Sequence, residues 1–81
     1  MPRVSGTREK SSALIALGAV VRGQRKALDL SQEELADEAS IDRSHMGKIE
    51  RGERNVTVLN MIRIAKALGT DVSEIFAEAG L

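Results

Sequence analysis

Cysteine is absent from this 81-residue chain, so it has neither a disulfide framework nor a thiolate metal site. Tyrosine and tryptophan are absent too, and phenylalanine and histidine occur once each. That leaves no aromatic platform for stacking bases and little material for a catalytic pocket. The single proline stands at position 2, and the wealth of Ala, Leu and Ile favours helix throughout. Long apolar runs are missing as well. Ala13 to Val21 follows Arg8 and Lys10 much as the apolar core of a signal peptide follows its basic start. No small-residue cleavage site comes after it; Arg22, Arg25 and Lys26 do, which argues against a targeting segment. The run is too short to span a bilayer. Leu14, Leu17, Val21 and Leu28 fall near one face of a helix, so it reads as the core-facing part of a first helix. A cytoplasmic protein without membrane, metal or cofactor is expected.

Neither sign of charge is in excess: twelve basic side chains balance twelve acidic ones. By itself that argues against a polyanionic partner, but the distribution does not. Residues 1–28 carry six basic side chains and one acid, residues 29–42 six acids and no base, and residues 43–54 four bases and two acids. A neutral total can still hide a basic face, and the local field is what a phosphate meets. A chain of this size buries only about 60–65% of its unfolded surface, which makes the core marginal and a partner subunit useful.

What is present is a series of helix start and stop signals. Residues 1–7 read as a polar, basic arm, and 8–81 as a single all-α domain. The first helix should begin near Arg8–Ser12 and run to about Ala27, weakened by Gly18 and Gly23 unless close packing uses them. Ser31, with Glu34 three residues on, forms a capping box. It opens a second helix over about 32–38, with Leu35, Ala36 and Ala39 inward. Ser40 and Ile41 make a turn. Asp42 caps a third helix over about 43–51, with Met46 and Ile49 as its buried stripe and Gly52 as its stop. Thr57 caps a fourth, Val58 to Leu68, with Leu59, Ile62, Ala65 and Leu68 on one face and Gly69 at its end. Asp71 and Glu74 make a second capping box for a last helix through Ile75 and Phe76 to about Glu78. The expected fold is five helices with no strand.

Two short helices so close in sequence must meet at a steep angle. The second of them carries Arg43, Ser44, His45 and Lys48 with little apolar width to bury them. Side chains at a helix start placed in the major groove reach base edges. The Arg43 fork matches O6 and N7 of guanine, and Ser44 suits a base or a phosphate. Lys48 lies one turn beyond Ser44 on the same exposed face.

Three blocks then agree in order and spacing: R-K-A-L-D-L-S-Q-E-E-L-A from Arg25, I-D-R-S-H-M-G-K-I-E-R-G from Ile41, and I-A-K-A-L-G-T-D-V-S-E-I-F from Ile64. Together they make the segment from about Leu17 to Phe76 resemble the Cro/cI-type (XRE) helix-turn-helix regulators. Within that family, D-R-S-H-M-G-K-I-E-R-G-E-R-N-V-T looks most like the controller proteins of restriction–modification systems.

The resemblance implies a five-helix DNA-binding domain acting on double-stranded DNA as a homodimer, with a palindromic operator and RNA polymerase as a further candidate partner. It implies base contacts by Arg43, Ser44, His45 and Lys48. Backbone contacts are implied for Gln32, Gly47, Arg51, Arg54, Asn55 and Thr57, with Gln32 as the phosphate clamp at a helix start. It matches Arg25 and Glu50 to a buried ion pair of structural role. Asp29 departs from the pattern: the family often has Gly at that corner, where a left-handed residue is needed, a conformation Asp tolerates at some cost. Val72, Ile75 and Phe76 form the candidate dimer interface, with the alternative that Phe76 closes the monomer core. The acid cluster Glu33, Glu34, Asp37 and Glu38 should face away from DNA. A second reading uses that acidic face on the same scaffold, as an antitoxin or adaptor gripping a protein partner. No nucleophile motif, phosphate loop or acid–base pair supports an enzyme.

Overall fold

Helices start in this chain where a side-chain oxygen meets free backbone N–H groups. Ser11 accepts from the Leu14 amide (3.1 Å), Ser31 from Glu34 (3.0 Å), Asp42 from Ser44 (3.1 Å) and Thr57 from Asn60 (3.1 Å). These caps open four of the five helices in the computed structural model, which describes residues 11–81: α1 (Ser12–Ala27), α2 (Gln32–Ala39), α3 (Arg43–Glu50), α4 (Val58–Leu68) and α5 (Val72–Glu78). No strand occurs among the described residues. The expected basic arm over residues 1–7 lies outside them. The second capping box does not form, because Asp71 makes no side-chain cap. The first turn of α5 is closed by backbone bonds to the Asp71 carbonyl from Glu74 (3.0 Å) and Ile75 (3.2 Å). Burial of Ile75, which has no exposed surface, holds the helix in place; burying such a side chain is worth about 1.5–3 kcal/mol.

The core joins Leu17 and Val21 of α1, Leu35, Ala36 and Ala39 of α2, Ile41 of the turn, Met46 and Ile49 of α3, Met61, Ile64, Ala65 and Leu68 of α4, and Ile75 of α5. α2 packs mainly on α4 and α3, and α1 on α3 and α5. The α1–α3 contact depends on Gly18. A β-carbon there would stand 2.4 Å from the Ile49 carbonyl oxygen and 2.5 Å from that of Glu50. No such constraint applies at Gly23, so only the first of the two glycines is used for close packing.

Two expected faces need correction. In α4 the buried set is Met61, Ile64, Ala65 and Leu68, whereas Leu59 and Ile62 are 56% and 40% exposed and Val58 is 75% exposed. At about 100° per residue, the apolar arc of α4 is wider than the core it covers; Val58, Leu59 and Ile62 form the uncovered remainder. In α1, Leu28 lies beyond the last helical turn and is half exposed, while Gly18 and Arg25 complete the buried face with Leu17 and Val21. The corner after α1 takes the expected left-handed form at Asp29 (φ 61°), and Ser40 (φ 57°) does the same after α2.

Candidate nucleic-acid interface

Residues 40–42 alone separate α2 from α3, and each has a task. Ser40 reverses the chain in the left-handed region. Ile41 is buried, and its amide bonds back to the Ala36 carbonyl (2.9 Å). Asp42 starts α3. Its Oδ2 accepts from the Ser44 amide (3.1 Å) and from the Ser44 hydroxyl (2.5 Å). These bonds, the hydroxyl first and then the His45 and Ser44 backbone N–H groups, hold the Asp42 carboxyl below its ordinary range. The fully ionised cap also suits the positive end of the helix dipole.

Met46 and Ile49 bury the inner side of α3. On its other side, Arg43, Ser44, Gly47, Lys48 and Arg51 line one open concavity of ≈ 350 Å³ together with Gln32 from the start of α2. The structure thus groups three of the four expected base-contacting residues with three of the six expected backbone-contacting ones. His45 is not among them; it is half-buried on the flank of α3. The other three lie in the loop after α3. Arg54 is exposed. Asn55 borders a separate apolar cleft with Leu14, Leu17, Val56, Met61 and Phe76. The Thr57 hydroxyl serves as the cap of α4. Gly47 is buried rather than open, since a β-carbon there would meet Gln32 Oε1 and Arg51 Nη1, each at 3.2 Å. It is the seat on which the Gln32 amide and the Arg51 guanidinium lie.

The Gln32 amide is held from a second side. Its Nε2 donates to Glu50 Oε1 (3.1 Å). Glu50 also accepts from Arg25 Nε at Oε2 (2.8 Å) and from Arg25 Nη2 at Oε1 (3.0 Å), and Arg25 Nη1 donates to the Leu30 carbonyl (2.9 Å). Arg25 and Glu50 are 8% and 7% exposed. The bonds to Glu50 raise the Arg25 pKa above its already high ordinary value, against the opposing effect of burial. Removing one member of such a pair would strand a buried charge. The network ties α1, the 28–30 corner, α2 and α3 together, and the same carboxylate that locks the fold orients Gln32.

Arg51 pairs with Glu53 (3.1 Å) across an exposed surface, a contact worth about 0–1 kcal/mol. Arg22, not singled out from the sequence, lines a polar recess with Gln32, Arg25, Glu50, Arg51 and Glu53. Its signal was available, because Arg22 stands one turn before Arg25 on α1. Glu33, Glu34, Asp37 and Glu38 are all exposed. At about 100° per residue they lie on the arc of α2 away from Gln32. Val72 and Phe76 are half-buried against the core, but Ile75 is wholly inside it. Ile75 is therefore a monomer core residue, and its place in the expected dimer interface is corrected. Among the described residues no cluster of His, Asp or Glu is arranged to hold a metal ion, and no helix is long and apolar enough to cross a membrane.

The chain resembles known proteins in sequence and fold. Residues 21–75 match the helix-turn-helix family. The chain is 44% identical over 61 residues to control protein C.SmaI of Serratia marcescens, covering 75% of this chain and 73% of that protein. It is 38% identical over 55 residues to control protein C.MunI of a Mycoplasma species, covering 68% and 74%. Among solved structures, the restriction–modification controller protein C.AhdI from Aeromonas hydrophila superposes with a TM-score of 0.79 at 40% identity, over 80% of this chain and 98% of that one.

Proposed function

The chain belongs to the helix-turn-helix family, and from that premise we propose that it is a sequence-specific transcription regulator of the restriction–modification controller kind, binding a palindromic operator as a homodimer through the major groove. The observation that carries this reading is the outer side of α3, where exposed Arg43 and Ser44 and half-buried Lys48 share one concavity with Gln32 and Arg51. Arg43 reads guanine; Lys48 takes a base or a phosphate. Gln32, Arg51, Arg54 and Arg22 follow the phosphates, helped by the free N–H groups at the start of α2. His45, at the flank, touches the backbone.

One such domain reads too few base pairs to find a single site, and two-fold dimers remedy this by engaging half-sites about one helical turn apart. The surface for a second copy is the uncovered apolar strip of Val58, Leu59 and Ile62. Val58 also borders the apolar cleft that Val72 and Phe76 help line. Exposed apolar side chains grouped on one face of a helix are what a second copy would cover.

The test is selection of bound sequences from a random duplex pool, followed by measured affinities. The expected product is an inverted repeat. Arg43→Ala should cost about 1–3 kcal/mol per half-site and relax one position, whereas Arg51→Ala should weaken all sequences alike and flatten the salt dependence. Binding of an inverted repeat no tighter than random duplex at moderate salt would refute the proposal.

A further inference from the structure

The tip of α3 offers hydrogen bonds of fixed polarity. Asp42 is ionised at neutral pH and has no proton to give, so in the 2.5 Å contact the hydroxyl proton belongs to Ser44 and points at Asp42 Oδ2. The Ser44 amide is committed to the same oxygen. What Ser44 turns outward is therefore a pair of lone pairs, next to a carboxylate that is itself acceptor-only. The neighbouring residue is the opposite: the Arg43 guanidinium is donor-only.

We propose that Ser44, set by Asp42, acts as an acceptor that reads the exocyclic amino group of an adenine or a cytosine, beside the guanine read by Arg43. Two alternatives are disfavoured by the same chemistry. Phosphate oxygens are acceptors and anionic, so a hydroxyl whose proton is already engaged by Asp42 has nothing to offer them, and the Asp42 charge repels them. Guanine O6 and N7 and thymine O4 are also acceptors, whereas adenine N6 and cytosine N4 are the donors that the major groove presents. Asp42 is a positioning residue here and Ser44 a specificity residue. The inference deepens the DNA-reading function proposed above and rests on it.

The test uses the full chain and two variants. Sequence selection with the wild type and with Ser44→Ala identifies the base pair at which the variant loses preference. A duplex is then made in which the adenine or cytosine of that pair is replaced by an analogue lacking the exocyclic amine. Wild-type affinity should fall about three- to tenfold per half-site, as for loss of one hydrogen bond, while Ser44→Ala binds both duplexes equally. Asp42→Gly, a residue accepted at helix starts, releases the hydroxyl proton and should let the wild-type preference broaden to bases with acceptors. Thermal unfolding and binding to random duplex confirm that each variant is folded; if Asp42→Gly is not, the amine-deletion comparison with Ser44→Ala still decides. A uniform loss of affinity in Ser44→Ala across all sequences would assign Ser44 to phosphate and overturn the inference. So would an equal response of wild type and Ser44→Ala to removal of the amine. In both cases the enriched operator leaves the DNA-reading function standing. Absence of any enriched sequence for the wild type would instead overturn that function and this inference together.

Discussion

Gly18→Ala and Gly23→Ala make the same chemical change in one helix and should have opposite effects. Both sites lie inside α1, where glycine costs about 1 kcal/mol relative to alanine. At Gly23 nothing stands within 4 Å of the added methyl, so that variant should gain about 0.5–1 kcal/mol. At Gly18 the methyl would stand 2.4 Å from the Ile49 oxygen, 2.5 Å from the Glu50 oxygen and 2.8 Å from the Glu50 carbonyl carbon. All three are backbone atoms at the end of α3, so no side chain can rotate aside and the helices must separate. Overpacking of this kind costs typically 1–3 kcal/mol, occasionally more; after the gain in propensity, a net loss on the order of 1–2 kcal/mol remains. In a domain of this size 1 kcal/mol moves Tm by about 4–8 °C, so the two variants should differ by on the order of 10 °C. Thermal unfolding followed by far-ultraviolet circular dichroism reads this directly. Equal melting temperatures, or a Gly18 variant more stable than the wild type, would mean that α1 and α3 are not packed in this register. The Arg25–Glu50 geometry, which spans the same two helices, would fall with it.

Arg25→Met should cost about 3–5 kcal/mol in urea unfolding because it strands the buried Glu50 carboxylate, whereas Arg25→Met combined with Glu50→Leu should recover most of that loss. The double variant should nevertheless bind DNA more weakly, since the Gln32 amide loses its bond to Glu50. Leu59→Glu with Ile62→Glu should leave the monomer folded but abolish the dimer in sedimentation, while Ile75→Glu should unfold the chain; a stable dimer after the double change would move the interface elsewhere. The lowered pKa of Asp42 sets a pH dependence. In the window between its folded and unfolded values the unfolded chain binds more protons, so stability rises with pH there. The contribution is complete above the ordinary carboxylate range and is lost as pH falls through the lowered folded value. Wild type and Asp42→Ala should therefore differ in melting temperature at neutral pH and converge in strong acid; a constant gap would show that the charge of Asp42 is not what stabilises α3.

Much of this molecule is legible along the chain because its determinants are local. Ser31, Glu34, Asp42 and Thr57 sit within three residues of the N–H groups they cap, so the starts of α2, α3 and α4 follow from residue type and spacing. Asp29 stood out as a left-handed corner through the resemblance to a family that often has Gly at that position. The exposure of Arg43 and Ser44 at the start of α3 was readable too, since Met46 and Ile49 mark the inner side of a short helix, whereas His45 and Lys48 are half-buried. Asp71 and Glu74 show the limit of local signals: the spacing of a capping box is present, yet burial of Ile75 fixes α5 without it.

What only the tertiary structure decided depends on which surfaces meet. An apolar arc on α4 does not say how much of itself will be covered, and packing against α2 and α5 left Val58, Leu59 and Ile62 outside. A glycine in a helix reads as a weakness until another backbone arrives against it, as that of α3 does at Gly18. Gln32, Gly47 and Glu50 are separated by as many as eighteen residues, and their common seat exists only once α1 has brought Arg25 to Glu50. The sequence by itself determined the starts of α2, α3 and α4 and the chemical kind of groups on the outer side of α3. Tertiary packing decided which groups are held rigid, because burial and long-range hydrogen bonds belong to the assembled helices and to no segment alone.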